Sequence, residues 1–452
     1  MRWAAVTLVL LLGGCAAYEA RPLATHTDLA RDALQLRVEA AAMPVPSLRS
    51  HTFDPRDGLD MTEVAMLAVA NNPDLKALRA ELGITRAQAF SAGLLPDPQL
   101  SLSRDSVLGA VSGATVALSA ALTVDVTALL ARSSSQAAAN AETRKSDLNL
   151  LWQEWQTVAR ARLLFVKMDS LARSLALLRE QRAFLAQRLD RARQAVELGL
   201  VTSDIATPQL TALQDVERQV NDLERQSNQA RHDLNALLGV DPQVQLLLTG
   251  RPDVEAVDEN RVKESLANAA LQRPDLLALQ AGYEAEDDRY RGALAAQFPA
   301  ITLAPTRARD TSNVNTAGVS LGITLPIFNR NRGNIAIEQA TREKLRGEYQ
   351  QRLDTTRIDA HRLLAEQALL NRQKTDVGTS IDELAQAVQR ARTAFTARQL
   401  DALTLTGAEA SLMAKQLERI AIEQSLWEQA IGLHALIGDG LAAPKNTTHL
   451  PS

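Results

Sequence analysis

The sequence predicts a mainly α protein with a small β part, in which one long-helix coiled-coil module occurs twice. Hydrophobic residues make up 46% of the 452 positions but aromatic residues only 3%, a profile typical of long helices and coiled coils. Two segments instead alternate apolar with small polar residues, the period of a strand with one apolar face. Landmarks of different kinds recur in the same order about 200 residues apart, which indicates a duplication. They are NPDL at 72–75 and RPDL at 273–276, LTVDV at 122–126 and ITLPI at 323–327, RAR at 191–193 and 390–392, and NALLG at 235–239 and HALIG at 434–438.

The N-terminus has the anatomy of a secretory signal. A short basic start precedes an apolar run at residues 6–12, which is too short to span a bilayer, and LGGC at 12–15 resembles a bacterial lipobox. We therefore predict a lipoprotein signal peptide at 1–14 and lipidation of Cys15. Ala16, which follows the cysteine in place of an aspartate, favours sorting to the outer membrane. The alternative is an ordinary signal peptide with an incidental cysteine.

The rest of the chain divides into a tether, two modules, a linker and a tail. Prolines interrupt residues 15–60, which we expect to form a lipidated tether with one short helix near residues 28–42. The further boundaries are a first helix-hairpin-helix module at 61–240, a linker at 241–262, a second, repeated module at 263–439 and a C-terminal tail at 440–452.

Within each module, the pattern predicts two short helices, a strand pair and one very long helix. The long helix of about 73 residues would measure roughly 110 Å, and the two helices that return beside it nearly match this length when stacked end to end. We expect the strand-to-helix joints to bend differently, because Pro326 and Gly333 have no counterpart in the first module. In the first module, one helix is predicted to start near Thr62, and others to cover 74–94 and 127–199, with a returning helix that ends at Gly239. In the second module, the predicted helices cover 275–296, 331–398 and 401–438. The predicted strands cover 100–103, 116–126 and 318–327.

The strands raise the question of what covers their apolar face. Two hairpins give four strands per chain, whereas single-chain transmembrane barrels begin at about eight strands. An open sheet edge is not tolerated in a bilayer, so membrane strands here require several chains to share one barrel. The alternative is a soluble protein in which the two hairpins pack on each other.

Catalytic and metal-binding patterns are absent from the sequence. The six histidines are scattered, the single cysteine excludes a disulfide framework and a cysteine-based zinc site, and no glycine-rich phosphate loop or nucleophile elbow occurs. We therefore predict no enzyme, no cofactor and no metal site. The net charge of −4 gives no reason to expect nucleic acid as a partner. Trp152, Trp155 and Trp427 are expected to pack between helices, since they are far from the strands in the sequence.

Through the signal, the duplication and three short motifs, the sequence resembles the TolC family of outer-membrane efflux proteins. The motifs are NNPDL at 71–75, GLLPDP at 93–98 and LPIF at 325–328, and the resemblance covers residues 60–440. The segment FNRNRGNI at 328–335 looks most like the branch that serves heavy-metal cation pumps. The family implies a homotrimer whose four strands per chain form a 12-stranded outer-membrane β-barrel, continued by an α-helical barrel through the periplasm. It implies a passive exit channel for metal cations or drugs, driven by an inner-membrane transporter through a periplasmic membrane-fusion adaptor.

The resemblance also implies roles for particular residues. The helix turns at Gly199, Leu200 and Val201 and at Arg398 and Leu400 would form the periplasmic tip that meets the adaptor. Arg398 stands where Gly199 does, which leaves the second bend uncertain. Two further groups of residues are assigned from their positions in the chain. Asp204 and Asp401, just past the turns, are candidates for an acidic ring at the closed aperture or, alternatively, for the N-caps of the returning helices. The second group is expected near the outer mouth and comprises Arg104, Asp105, Arg307, Arg309 and Asp310.

Two other functions stay open from the sequence. One is a lipid-anchored periplasmic coiled-coil scaffold without a pore. The other is the outer-membrane component of a type I secretion system, with polypeptides as substrates.

Overall fold

The chain folds into two helical modules whose four strands form one sheet. The structure is a computed structural model, and it describes residues 18–32, 36–109, 113–200, 202–203 and 206–438. The predicted signal peptide, Cys15, Val201, Asp204 and the tail at 440–452 lie outside the described residues.

The elements of the two modules correspond one to one. Each module has two short helices, two strands, one long helix and one returning helix, in that order, as the repeat predicts. The first module comprises α1 (Met61–Asn71), α2 (Pro73–Ala92), β1 (Gln99–Asp105), β2 (Ala117–Asp125), α3 (Val126–Glu197) and α4 (Ala206–Leu238). The second comprises α5 (Glu259–Gln272), α6 (Pro274–Ala295), β3 (Ala300–Arg309), β4 (Asn315–Thr324), α7 (Arg332–Thr396) and α8 (Ala402–Ile437).

The predicted end-to-end stacking is present in both modules, with the same joint. In the first, the Asn72 side-chain amide ahead of α2 donates a hydrogen bond of 2.9 Å to the carbonyl of Leu237 in α4. In the second, the Arg273 guanidinium ahead of α6 donates to the carbonyl of Leu436 in α8, also at 2.9 Å. Gly239 ends α4 in a left-handed conformation, and a Cβ there would lie 2.8 Å from the Asn71 carbonyl oxygen. The joint therefore needs glycine both for its backbone angle and for the close approach of α1.

The largest core cluster lies where α1 packs against the middle of α3 and the end of α4. Val64, Met66 and Leu67 of α1 are fully buried, as is Leu234 of α4. The structure confirms the predicted packing role of the three tryptophans. Trp152 and Trp427 pack against this cluster, and the buried Trp155 indole N–H donates a hydrogen bond of 2.9 Å to the Ala435 carbonyl. That hydrogen bond ties α3 of the first module to α8 of the second.

The N-terminal segment departs from the prediction. The prediction of a helix near residues 28–42 is wrong, because the described part of that stretch holds only a short 3-10 turn at Ala40–Ala42. A one-turn helix at Pro46–Arg49 follows it. The segment instead runs along the core, with Val45 and Leu48 fully buried and a parallel bridge from Ala30 to Val240. Its apolar residues therefore have a partner that only tertiary packing provides.

Helix α1 begins at Met61, and its N-cap lies two residues before the expected N-cap, Thr62. Asp60, not Thr62, is its N-cap, since the Asp60 carboxylate accepts from the backbone N–H groups of Thr62 and Glu63 at 2.8 Å. Glu63 reaches back to the N–H of Asp60 at 3.0 Å, which completes a capping box. No helix in the described part of the chain is both long and apolar enough to cross a membrane.

Candidate functional site

The four strands form one antiparallel sheet in sequence order, β1-β2-β3-β4. The two hairpins lie side by side: β2 pairs with β3 from Leu118 opposite Arg309 to Asp125 opposite Thr302. The alternative in which the hairpins pack on each other is therefore wrong. Strands β1 and β4 are the edges of this sheet, and within the described chain nothing pairs with their outer sides.

One face of the sheet is apolar and uncovered. Directly opposed residues share a face, so the register assigns every strand position to one side or the other. Leu102, Val319 and Leu321 on the apolar face are 73%, 70% and 59% exposed. The apolar face also carries Leu100, Leu118, Ala120, Leu122, Val124, Ile301, Leu303, Pro305, Ala317 and Ile323, and the opposite face carries Ser101, Ser103, Ser119, Ala121, Thr123, Thr302, Ala304, Thr306, Gly318, Ser320 and Gly322.

Each long helix follows a strand of the sheet, and the two joints differ as predicted. In the first module the strand stops at Asp125, whose carboxylate caps α3 by accepting from the Ala128 N–H at 2.9 Å. Val126, expected in the strand, is therefore the first helical residue. In the second module β4 ends at Thr324, earlier than the predicted residue 327, and a connection that contains Pro326 precedes α7. Asn331 lies there in a left-handed conformation, and its amide donates to the Ala293 carbonyl of α6 at 2.8 Å.

At the other end of the long helices, both turns have the same geometry. Gly199 and Arg398 occupy equivalent positions with φ of 68° and 61°. In each turn the next N–H bonds back to the carbonyl five residues earlier, from Leu200 to Ala195 at 2.9 Å and from Gln399 to Ala394 at 2.8 Å. This is the Schellman pattern, in which a left-handed residue ends the helix. The second bend, uncertain from the sequence, thus forms with arginine in a conformation that costs a non-glycine residue about 1–2 kcal/mol.

The tip residues expose several apolar side chains. Leu198 and Leu200 are 72% and 71% exposed, whereas Leu400 is half-buried. Asp401 is the N-cap of α8: its carboxylate accepts from the backbone N–H and from the hydroxyl of Thr404, each at 2.8 Å. These hydrogen bonds from Thr404 lower the pKa of Asp401. The N-cap interpretation holds for this residue.

A buried ionic cluster near the tip links the modules and has no signal in the sequence. The Glu409 side chain of α8 is 5% exposed and pairs with Arg188 of α3 at 2.6 Å and Arg392 of α7 at 3.0 Å. The Arg188 guanidinium also lies over the rings of Phe184 and Phe395, at 5.0 and 5.8 Å from their centroids. Because these residues are far apart along the chain, no local pattern marks them as partners.

A pair of carboxyl groups lies on the two helices that flank the second strand pair, α6 before it and α7 after it. Glu286 of α6 is 3% exposed and pairs with Arg289 at 3.1 Å. Glu338 of α7 has its pKa raised to about 6, first by a hydrogen bond with Glu286, then by burial and by the neighbouring negative charge. The Glu338 carboxyl is therefore partly protonated in mildly acidic solution.

Among the described residues, one group of side chains meets the spacing of a metal site: His51, Asp60 and Glu63. Sequence spacing missed it because His51 precedes the helix on a separate turn. The His51 imidazole lies 3.1 Å from the Asp60 carboxylate. Both Glu63 oxygens, however, accept backbone N–H groups, from Asp54 at 2.8 Å and Asp60 at 3.0 Å. The group therefore caps α1, and its carboxylates are already occupied by hydrogen bonds.

The second module matches the model of a known family. Residues 266–439 match the model described as outer membrane efflux protein. The match confirms the resemblance found in the sequence, and with it the outer-membrane location in a Gram-negative bacterium. Members of this family are channels, which confirms the prediction that the chain is not an enzyme.

Two curated relatives carry efflux-related names. The chain is 28% identical over 180 residues to the probable outer membrane lipoprotein SilC of Salmonella typhimurium, covering 38% of this chain and 39% of SilC. It is 27% identical over 180 residues to the cation efflux system protein CusC of Escherichia coli K12, with the same shares of the two chains. The chain thus spans about two fifths of the length of the curated relatives it matches.

Solved structures resemble nearly the whole chain. A crystal structure of CusC superposes with a TM-score of 0.68 at 18% identity, covering 91% of this chain and 99% of CusC. The outer membrane protein VceC of Vibrio cholerae gives a TM-score of 0.70 at 16% identity, covering 84% and 97%. These likenesses confirm the predicted fold class, with its duplicated long helices and small sheet.

Proposed function

We propose that the chain is one subunit of a trimeric outer-membrane exit channel for a tripartite efflux pump. The observation that carries this proposal is the four-stranded sheet, which has an exposed apolar face, a small polar face and two open edges. Burying the apolar face in lipid accounts for its exposure, and the small polar face then lines a water-filled lumen.

The strand directions support closure by copies of the same chain. Since every neighbouring pair in the sheet is antiparallel, β1 and β4 run in opposite directions. Edge β4 of one chain can therefore pair antiparallel with β1 of the next, and the pattern repeats around a ring. Three copies give a 12-stranded barrel without edges, which satisfies every backbone group in the bilayer.

The helices extend the same ring away from the membrane. Helix α3 has 72 residues and follows β2 directly, and α7 has 65 residues and follows β4 after the connection at 325–331. At 1.5 Å per residue they reach about 108 and 98 Å, a length suited to an α-helical barrel through the periplasm. Each subunit supplies two such joints, so a trimer has six around its pore.

We assign the far end of the helices to the adaptor. Gly199, Leu200, Val201, Arg398 and Leu400 form the docking tip in this proposal, and the exposed Leu198 and Leu200 supply apolar surface for helix-to-helix packing. Asp204 and Asp401 line the aperture, a role that is compatible with capping in the case of Asp401. An inner-membrane transporter supplies the energy through the adaptor, and Cys15 anchors the chain to lipid.

We infer metal cations as the substrate class. The named relatives support this choice, since CusC is a cation efflux system protein. The chain itself need not ligate the metal, because transport through the exit channel is passive. The choice of metal cations is tested by deleting the gene and comparing growth on silver or copper salts with growth on hydrophobic drugs. We expect sensitivity to the metal salts, and sensitivity to the drugs alone would contradict this substrate class.

The pore itself is tested with two substitutions at neighbouring positions of β4. Leu321 lies on the apolar face and Ser320 on the small polar face. We expect Leu321→Asp to block insertion into lipid, because a charge facing the hydrocarbon is destabilising. Ser320→Asp should insert normally and change the cation selectivity of single channels in planar bilayers. Purified protein that gives no conductance steps, or Leu321→Asp protein that inserts as well as Ser320→Asp, would support a scaffold without a pore.

A further inference from the structure

Three arginines lie on the apolar face of the sheet, at its end away from the helices. Arg104 of β1 opposes Leu118 of β2, and Leu118 in turn opposes Arg309 of β3. Arg307 opposes Ala120 in the next row. Because opposed residues of an antiparallel pair share a face, all three guanidinium groups share the side that carries the leucines.

None of the three arginines has an ion pair in the described part of the chain. Asp105 follows Arg104 directly and therefore points to the opposite, small polar face. Asp310 lies in the turn, where its carboxylate accepts from the N–H groups of Ser312 and Val314 at 2.8 and 2.9 Å. Arg309 donates to the Val116 carbonyl at 3.3 Å. The described strand residues of the apolar face include no carboxylate that would neutralise the arginines.

The height of the arginines corresponds to the membrane interface. Strand β3 has 10 residues, which at about 3.3 Å each and a tilt of about 40° span roughly 25 Å, the height of the apolar band in membrane barrels. Arg309 is the last residue of β3, with Arg307 one row before it, and Arg104 is the last but one of β1. At this depth a lipid-facing arginine is tolerated, whereas at the midplane it is strongly disfavoured.

A groove between these side chains has both cationic and apolar walls. It encloses about 500 Å³, and its lining includes the three arginines together with Leu102, Leu118 and Ala120. An occupant that matches both walls has a phosphate group next to a hydrocarbon chain. Guanidinium groups suit phosphate because they offer paired N–H donors in one plane.

We propose that Arg104, Arg307 and Arg309 bind the phosphate groups of a glycolipid in the outer leaflet of the outer membrane. The inference rests on the proposed function, since it takes the apolar face to face lipid. The adjacent rows of leucine and valine favour a lipid over a free anion. In a trimer the three arginines become nine, placed as a belt around the outer rim.

The experiment uses the full-length protein, purified in detergent and titrated with lipid while binding is followed by native mass spectrometry. The probes are diphosphorylated lipid A, the same lipid after removal of both phosphates, and inorganic phosphate as a competitor. The test variant is Arg104→Gln/Arg307→Gln/Arg309→Gln, and a triple lysine variant keeps the charge. The matched control, Arg330→Gln/Arg332→Gln, removes arginines at the helix end of the same sheet.

We expect wild type to bind the diphosphorylated lipid at least tenfold more tightly than the dephosphorylated one. A basic residue at a lipid surface contributes roughly fivefold to binding. The triple glutamine variant should lose this preference, the lysine variant should keep part of it, and the control should keep all of it. Equal binding by wild type and the glutamine variant would overturn the proposal, and so would competition by millimolar inorganic phosphate or an equal loss in the control.

Conductance separates failure of this proposal from failure of the channel. A glutamine variant that forms pores like wild type but has lost lipid preference supports the lipid site independently of pore formation. Pores together with unchanged lipid preference refute the site alone, and absence of pores in wild type refutes the channel. If the triple variant does not assemble, Arg104→Gln/Arg307→Gln replaces it, because these two side chains make no hydrogen bonds in the described chain.

Discussion

Truncating Glu409 should destabilise the protein far more than truncating a neighbouring surface glutamate on the same helix. Glu409→Ala leaves the Arg188 guanidinium, 15% exposed, without its carboxylate partner at 2.6 Å. Breaking one partner of a fully buried pair costs about 3–5 kcal/mol. Since the second partner, Arg392, is 55% exposed and is freed to water, we expect about 2–4 kcal/mol. The matched control is Glu418→Ala, whose carboxylate pairs with Lys415 at 2.7 Å while 45% exposed, and it should cost under about 0.5 kcal/mol.

The assay is thermal unfolding of the detergent-solubilised protein at fixed concentration, followed by circular dichroism. The Glu409→Ala protein should melt several degrees below wild type and below Glu418→Ala. A double-mutant cycle with Arg188→Ala isolates the pair, because the double variant should lose much less than the sum of the single losses. Equal melting temperatures for Glu409→Ala and Glu418→Ala would refute the reasoning that this ion pair is buried between the modules.

Three further predictions concern the tip and the carboxyl pair. Arg398→Gly should raise stability by about 1 kcal/mol by relieving a left-handed arginine, and Gly199→Ala should lower it by a similar amount; melting temperatures that move the other way would contradict the shared turn geometry. Leu200→Asp or Leu400→Asp should abolish efflux, measured as metal tolerance of cells, while trimers still form and insert; normal tolerance would rule out the tip assignment. Glu338 has a folded pKa of about 6, above its usual value, so the stability it contributes is present at low pH and is lost as pH rises through 6. Glu338→Gln should therefore raise the melting temperature more at pH 7.5 than at pH 5, and an equal rise at both pH values would argue against the raised pKa of Glu338.

Local patterns in the sequence determined the elements and their faces. The absence of proline and glycine between residues 127 and 198 predicted a helix that the structure has at Val126–Glu197. The alternation of apolar with small polar residues predicted which face of the sheet each strand residue lies on, because successive side chains of a strand point to opposite faces. The helix lengths predicted the stacked helix joints, and the repeat places residues 72 and 273 at equivalent positions, where they make equivalent contacts.

Tertiary structure alone decided how these elements meet. The edge-to-edge pairing of the hairpins, the burial of Val45 and Leu48, and the Glu409 cluster each join segments far apart along the chain. No local pattern encodes such contacts, because an isolated carboxylate or leucine has the same neighbours in sequence whether or not a partner lies beside it in space. Arg398 shows the converse: its own propensity disfavours the left-handed turn, and the helices packed on both sides of the turn hold it there. The sequence determined what each segment is, and packing decided which of its groups face another segment, solvent or lipid.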